Sequence, residues 1–143
     1  MTANNGQDTP APNQPLVLIV EDSFPQMLKT RLILESIGCH VVWSDTGQGG
    51  LSLAREKTFD LVVLDIELPD INGFEVCRSL KADPELVDIP VIMLTSLDQA
   101  DTAMNGFTAG AIDYIPKDAF ADAVLVETIK QMKVVDAGSS SKP

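Results

Sequence analysis

The sequence predicts an α/β protein built on one parallel β-sheet, and two observations point to this fold class. Short apolar runs alternate along the chain with segments whose apolar residues recur at helical spacing, which is typical of βαβ units. Four of the apolar runs end in polar groups, namely Glu21 with Asp22, then Asp65, Thr95 and, after Pro116, Lys117. At 143 residues, the chain suits a single domain of this kind.

The two ends of the chain differ in composition from its centre. Residues 1–14 are polar, contain proline and offer nothing to bury, so we expect a disordered N-terminal tail. Residues 135–143 include a glycine and a run of serines, which predicts a flexible C-terminal tail or a truncated linker. The folded domain is therefore expected to span residues 15–134.

The first strand–helix–strand unit is predicted between residues 16 and 44. An apolar strand at 16–20 precedes Ser23, which offers an N-cap for a helix, with Gln26 completing a capping box. Gly38 is expected to end that helix in a left-handed conformation, since glycine has no Cβ to clash there. Residues 39–44, which contain two valines and a tryptophan, form the second predicted strand.

The remaining elements continue the alternation. Gly49 and Gly50 weaken the helix predicted at 46–57, because each glycine inside a helix costs about 1 kcal/mol relative to alanine. In the helix after the fourth strand, Met104 is expected to face inward with three other apolar residues. The remaining predicted elements are strands at 60–64, 90–95 and 112–115, and helices at 72–82, 98–109 and 118–132.

Five strand–helix units leave few arrangements when crossovers are right-handed and helices cover both faces of the sheet. The favoured one is a flavodoxin-like (βα)5 three-layer sandwich with the parallel strand order 2-1-3-4-5. Strand 1 then lies beside strand 3, and strands 4 and 5 follow. The polar groups that end these strands would meet at the carboxyl edge of the sheet, where open α/β sheets bind ligands.

The residue types at this edge indicate phosphoryl chemistry with a metal. Glu21, Asp22 and Asp65 would repel one another unless a cation joined them, and Mg²⁺ suits a site of carboxylates, water and phosphate oxygens. A carboxylate fixed at a strand end, such as that of Asp65, can act as a nucleophile towards phosphorus. The Thr95 hydroxyl can donate to a phosphoryl oxygen, and the Lys117 ammonium can neutralise another.

Composition argues against several other classes of protein. The formal net charge of −11 repels nucleic acid backbones, so direct nucleic acid binding is not expected. Cys39 and Cys77 lack the spacing of a disulfide framework and are interpreted as reduced thiols. The sequence has no signal peptide pattern and no apolar run long enough to span a bilayer, so we expect a cytoplasmic protein without membrane insertion.

Four segments of the sequence resemble one protein family. Residues 65–75, DIELPDINGFE, are similar to the phosphoacceptor loop of response regulator receiver domains, the CheY-like superfamily, in which Asp, Pro and Gly recur at these intervals. The Glu21–Asp22 pair, the Thr95–Ser96 pair and residues 110–117, GAIDYIPK, match its other signatures. On this resemblance, residues 15–134 form a receiver domain of two-component signalling.

The resemblance implies a phosphorylation switch. Asp65 would accept a phosphoryl group from a sensor histidine kinase or a histidine phosphotransfer protein, with Thr95 and Lys117 binding the phosphate. Thr95 would then move towards the phosphate while Tyr114 turns inward, so that phosphorylation shifts the population between two states. Such a receiver is not an enzyme, because it catalyses only its own phosphorylation and dephosphorylation.

The resemblance also implies a metal and downstream partners. Mg²⁺, or Mn²⁺ in its place, would be bound by Glu21, Asp22, Asp65 and the main-chain carbonyl of Glu67. The phosphorylated form would contact a downstream protein through the face formed by the fourth helix, the fifth strand and the fifth helix. Homodimerisation through this face stays open.

One position departs from the common family pattern. Asp118 follows Lys117, where many members carry a proline preceded by a cis peptide bond. A cis bond before a residue other than proline costs about 2.5–4 kcal/mol, so the position of the Lys117 side chain depends on how this loop is built.

Three other functions stay open on the residues alone. A Mg²⁺-dependent phosphatase with an aspartyl-phosphate intermediate usually needs a second Asp two residues after the nucleophile, where this chain has Glu67. A flavodoxin-like cofactor binder needs a phosphate loop rich in Thr, Ser and Gly, whereas two acids follow the first strand. The third alternative is a receiver-shaped interaction scaffold that is never phosphorylated.

Overall fold

The structure is a computed structural model that describes residues 10–96, 104–105, 108–118 and 120–132. Within these residues, five parallel strands form one sheet in the order β2-β1-β3-β4-β5, which confirms the predicted topology. The strands are β1 (Leu16–Val20), β2 (His40–Ser44), β3 (Leu61–Leu64), β4 (Val91–Thr95) and β5 (Asp113–Pro116). The helices are α1 (Phe24–Ser36), α2 (Gly47–Glu56), α3 (Gly73–Ala82) and α4 (Ala121–Gln131).

Three of the helices begin at side-chain caps that satisfy main-chain N–H groups of the first turn. The Ser23 hydroxyl accepts from the Gln26 N–H at 3.3 Å, and the Thr46 hydroxyl accepts from the Gly49 N–H at 2.9 Å. The Asn72 side chain accepts from the Glu75 N–H at 3.1 Å. At the other end of α1, Gly38 has a φ of +97°, which confirms the predicted left-handed residue.

The sheet separates two apolar layers, because successive side chains of a strand point to opposite faces. One layer packs α2 and α3 against residues such as Leu18, Val62 and Met93. The other packs α1 and α4 against Ile19 and Val63. Among the helices that the structure describes, none is both long enough and apolar enough to cross a bilayer.

The strand register brings the carboxyl ends of the strands together at one edge. Val20 of β1 is in register with Leu64 of β3, and Leu64 is in register with Met93 of β4. Asp65 extends this ladder, because its N–H donates to the Val20 carbonyl at 3.0 Å. Residues that directly follow β1 and β3 are therefore neighbours.

Two regions differ from the sequence prediction or lie outside the described residues. Of the helix predicted at 98–109, residues 104–105 and 108–109 are described, and all four are helical. Met104 was expected to face inward but is 65% exposed, because Ala109 takes the buried side of this segment. Of the two predicted tails, residues 1–9 and 135–143 lie outside the described residues, and residues 11–14 form a turn in which the Gln14 N–H donates to the Ala11 carbonyl.

Candidate functional site

The acids that follow β1 occupy a well-defined loop at the carboxyl edge of the sheet. The Glu21 N–H donates to the Ser44 carbonyl of β2 at 3.0 Å, and one Glu21 carboxylate oxygen accepts from the Ser23 N–H at 3.1 Å. Glu21 is buried, whereas Asp22 is exposed at the mouth of the site. The pair therefore presents one carboxylate inside and one at the surface.

Asp65 lies beside this loop, directly after the fully buried strand β3. Its side chain is buried, and one of its carboxylate oxygens accepts from the Ile66 N–H at 2.7 Å. Gly73, the first residue of α3, packs against the Asp65 backbone so closely that a Cβ there would lie 2.2 Å from the Asp65 carbonyl oxygen. The absence of a side chain at Gly73 thus allows the helix to begin next to the acid.

Lys117 contacts the acids that follow β1 and β3. Its Nζ lies 2.6 Å from Glu21 Oε1 and 3.2 Å from Asp65 Oδ2, with 13% of the lysine side chain exposed. The Lys117 N–H also donates to the Thr95 carbonyl at 2.7 Å, which fixes the lysine backbone to the end of β4. The Lys117–Asp118 peptide bond is trans, so the lysine reaches both carboxylates without a cis bond at this position.

The pKa values at this edge reflect competition between burial and charge. Burial raises the pKa of the Glu21 carboxyl above its ordinary value, and the negative charge of Asp65 adds to this, although the hydrogen bond from Lys117 opposes it. Burial alone would lower the pKa of Lys117. The hydrogen bond to Glu21 and the charge of Asp65 outweigh burial and raise it, so the ammonium stays charged at neutral pH.

The donor set fits a hard divalent cation. One carboxylate oxygen from each of Glu21, Asp22 and Asp65 lies within 4.8 Å of the other two. In their charged forms, these three acids are accompanied by one ammonium, that of Lys117, so the four side chains together carry a net charge of −2. A divalent cation with a preference for oxygen ligands, such as Mg²⁺, would restore that balance.

The two predicted switch residues are both buried. Thr95 is the last residue of β4 and has no exposed surface. Leu64, one residue before Asp65, is in register with Met93, two residues before Thr95. Tyr114 of β5 is 9% exposed and belongs to the apolar layer on the side of α2 and α3. Thr95 therefore lies one strand away from Asp65, and Tyr114 lies in the strand beyond it.

Glu67 lies in the loop after Asp65 and is exposed. Its side chain points to the neighbouring loop, where it accepts a hydrogen bond from the Ser96 hydroxyl at 3.0 Å. Its N–H lies 3.5 Å from an Asp65 carboxylate oxygen, at the limit of hydrogen bonding. The backbone of Glu67 is thus next to the acid cluster while its carboxylate bonds elsewhere.

A contact of the Glu21 carbonyl was not predicted from the sequence. Trp43 of β2 donates its indole N–H to the Glu21 carbonyl at 2.7 Å, and its ring packs against Phe24 with 5.8 Å between centroids. The indole therefore fixes the peptide that joins Glu21 to Asp22. The available signal was the position of Trp43 near the end of a strand that the predicted order places beside β1.

Comparison with known proteins identifies one family. Residues 17–130 match the response regulator receiver domain. PilH of Pseudomonas aeruginosa is 38% identical over 109 residues, which cover 76% of this chain and 90% of PilH. The chain spans about half the length of the next curated relatives that it matches.

Solved structures give the same result. A crystal structure described as a response regulator from Chloroflexus aurantiacus has a TM-score of 0.79 and 28% identity, covering 83% of this chain and 97% of that one. The receiver domain of the sensor histidine kinase PA1611 from Pseudomonas aeruginosa, which has a magnesium ion in its active-site cleft, has a TM-score of 0.75 and 25% identity. It covers 82% of this chain and 96% of its own. The chain therefore belongs to the response regulator receiver domain family of two-component signalling.

Proposed function

We propose that Asp65 is the phosphoacceptor of this receiver and that residues 15–134 form the receiver unit. The observation that carries the proposal is the double contact of Lys117 Nζ with Glu21 and Asp65, beside an exposed third acid, Asp22. A buried carboxylate with an ammonium at 3.2 Å and a carboxylate cluster around it is arranged for phosphoryl transfer rather than for surface solvation. The receiver family is in general not a family of turnover enzymes.

In the proposed reaction, a carboxylate oxygen of Asp65 attacks the phosphorus of a phosphohistidine. The new P–O bond forms as the P–N bond breaks, and the donor histidine leaves with the electron pair of that bond. Lys117 neutralises the charge on a phosphoryl oxygen, and its contact with Glu21 holds the ammonium in place. The product is an aspartyl phosphate on Asp65.

The metal proposed for this site is Mg²⁺, with Mn²⁺ as a substitute. Its ligands would be the carboxylates of Glu21, Asp22 and Asp65 and the main-chain carbonyl of Glu67. When bound, the cation supplies positive charge to the phosphoryl oxygens. Burial of Glu21 and Asp65 favours a divalent partner, because close carboxylates otherwise repel one another.

The proposed switch begins at Thr95. Its hydroxyl would donate to a phosphoryl oxygen on Asp65, and the buried ring of Tyr114 would repack as the threonine moves. The phosphoryl group acts on the equilibrium only through contacts that differ between the two states.

The proposed partners follow from the family. In the cytoplasm, a sensor histidine kinase or a histidine phosphotransfer protein would donate the phosphoryl group to this receiver. A downstream protein or a second receiver would bind the face containing the predicted fourth helix, β5 and α4. Exposed apolar side chains on or next to each of these elements support such a face, namely Met104, Ile112 and Val124.

Incubation with acetyl phosphate, with and without Mg²⁺, followed by intact mass measurement tests the proposal. We expect the wild type to gain the mass of one phosphoryl group only when Mg²⁺ is present, and Asp65→Asn to gain none. Asp88→Asn is the matched control, because this exposed acid lies in the loop that leads into β4 at the opposite edge of the sheet. A wild type that gains no mass would favour the scaffold alternative, and repeated turnover of small phosphate esters would favour the phosphatase.

A further inference from the structure

The loop between Asp65 and α3 is anchored at its apex to a different helix. Asp70 accepts two hydrogen bonds at 2.8 Å each, one from the Gly47 N–H and one from the Gln48 N–H, in the first turn of α2. The first amides of a helix have no partner within the helix and favour a negative charge nearby. Thr46 caps Gly49 in the same turn, so Asp70 serves amides that the helix's own cap leaves open.

The residue after Asp70 packs at the same place. A Cβ at Gly47 would lie 2.6 Å from Ile71 Cγ1 and 2.9 Å from Val76 Cγ2. The missing side chain of Gly47 is therefore what allows the loop to approach the start of α2. Polar and apolar contacts thus hold the apex of the loop to one point.

The base of the same loop is held by main-chain bonds next to the phosphoacceptor. The Gly73 N–H donates to the Ile66 carbonyl at 2.8 Å, and the Leu68 N–H donates to the same carbonyl at 3.1 Å. Glu67 lies between the base and the apex, and its side chain makes an exposed hydrogen bond to Ser96. The path of the backbone past Glu67 is therefore set by the base at Ile66 and by the anchor at Asp70.

We propose that Asp70 is a positioning residue for the metal site, because its two hydrogen bonds to α2 hold the Glu67 carbonyl in place beside Asp65. The inference rests on the proposed function, in which that carbonyl is a metal ligand. Asp70 is not one of the proposed metal ligands. Its effect passes through the backbone of the loop.

The ionisation of Asp70 fits this role. The hydrogen bonds from Gln48 and Gly47 hold the pKa of its carboxyl below the ordinary value, so the anchor is charged at neutral pH. A charged acceptor forms stronger hydrogen bonds than a neutral one. The anchor is therefore in its stronger form at neutral pH.

Two Asp70 variants and one control test the inference. Asp70→Ala removes both hydrogen bonds, and Asp70→Asn keeps one acceptor oxygen. Asp83→Ala is the control, because Asp83 also accepts a main-chain hydrogen bond, from the Glu85 N–H, but lies at the far end of α3. Amide hydrogen exchange at Gly47 and Gln48 reports the anchor, and the fluorescence of Trp43, which is bonded to the Glu21 carbonyl, reports Mg²⁺ binding.

We expect Asp70→Ala to accelerate exchange at Gly47 and Gln48 and to raise the Mg²⁺ dissociation constant about tenfold, the lower end of the range for groups that orient metal ligands. Asp70→Asn should have an intermediate effect, and it keeps the test valid if Asp70→Ala fails to fold. Phosphorylation by acetyl phosphate should be slow at low Mg²⁺ in Asp70→Ala and should recover at saturating Mg²⁺. A purely structural defect would not recover in this way.

Three outcomes would overturn the inference. One is faster exchange in Asp70→Ala with the Mg²⁺ affinity of the wild type. Another is an equal loss of Mg²⁺ affinity in Asp83→Ala. The third is a wild type that neither binds Mg²⁺ nor accepts a phosphoryl group, which would overturn the proposed function as well. If the wild type does both and the Asp70 variants do not behave as expected, only the role of Asp70 is contradicted.

Discussion

The ion pair of Lys117 and Glu21 shows how burial changes the energetic effect of an ion pair. At 2.6 Å, an exposed pair of this kind would contribute little to stability, because solvent screens it. Here both side chains are largely buried, and removing one partner would leave the other charge without compensation. The pair is better understood as part of a charged site than as a contribution to stability, since the acids together outnumber the lysine.

The buried thiol of Cys39 leads to a prediction of how stability depends on pH. Burial, with a smaller effect from the charge of Asp60, raises the pKa of this thiol from 9.0 to about 11. Between these values the unfolded chain loses the thiol proton while the folded protein keeps it. The free energy of unfolding should therefore fall as the pH rises from about 9 towards 11.

Urea unfolding of the wild type and Cys39→Ala, each measured at about pH 8 and about pH 10.5, checks this prediction. The wild type should lose more stability than Cys39→Ala between the two conditions. The lysines titrate in both proteins, so their contribution cancels in the comparison. Equal losses in the two proteins would show that the Cys39 thiol does not contribute to the pH dependence.

At the level of secondary structure, the start of α3 is fitted closely to the backbone of Asp65, which directly follows β3. We expect Gly73→Ala to lower the free energy of unfolding by about 1–3 kcal/mol, because the new Cβ would have to displace the Asp65 backbone. The same displacement should weaken Mg²⁺ binding. Urea unfolding and a Mg²⁺ titration followed by Trp43 fluorescence measure the two effects.

Gly38→Ala is the control for this substitution. Nothing lies within 4 Å of a Cβ at Gly38, so its cost, about 1–2 kcal/mol, comes only from the left-handed backbone. Gly38 follows the end of α1, at the edge of the sheet opposite the site. Mg²⁺ affinity should stay unchanged in Gly38→Ala, and a similar loss of affinity in both variants would refute the fitted contact at Gly73.

The elements that the sequence predicted best are those whose signals are local. The apolar runs predicted the strands, their polar endings predicted the common edge, and Ser23 and Gly38 marked the ends of α1, because each of these signals lies within a few residues. The contacts of Trp43 with Glu21 and of Asp70 with α2 were not predicted. They depend on how segments far apart in sequence align, and an exposed Asp in a loop has many ordinary uses.

The prediction that Met104 faces inward was wrong for a related reason. Apolar residues recur so often between residues 100 and 107 that more than one side of the predicted helix could face the core. The buried position of Ala109, beyond those residues, decides which side it is. Periodicity predicted the helical state of this segment but not its rotation.

At the scale of the whole molecule, Mg²⁺ should act as a stabilising ligand. A ligand that binds only the folded state adds about 2.7 kcal/mol at one hundred times its dissociation constant. We expect the melting temperature of the wild type to rise with Mg²⁺ at matched ionic strength and to return to its starting value on chelation. Differential scanning calorimetry measures the change.

Adding Mg²⁺ should reverse which of the wild type and Asp22→Asn has the higher free energy of unfolding. Without Mg²⁺, the variant should be at least as stable as the wild type, because one of three mutually repelling carboxylates is gone. With Mg²⁺, the wild type should be the more stable protein, since the variant has lost one of the proposed ligands. A Mg²⁺ effect of the same size in both proteins would mean that the cation binds outside this site.

Lys117 lies 96 residues after Glu21 and 52 residues after Asp65. During synthesis on the ribosome, the acids of the pocket therefore emerge well before the amine that completes it. A nascent chain that stops short of β5 carries both acids but no lysine to join them. The charged site is thus complete only after β5 has been synthesised, and under the proposed function a shorter chain would present Asp65 without the ammonium that neutralises the phosphoryl group.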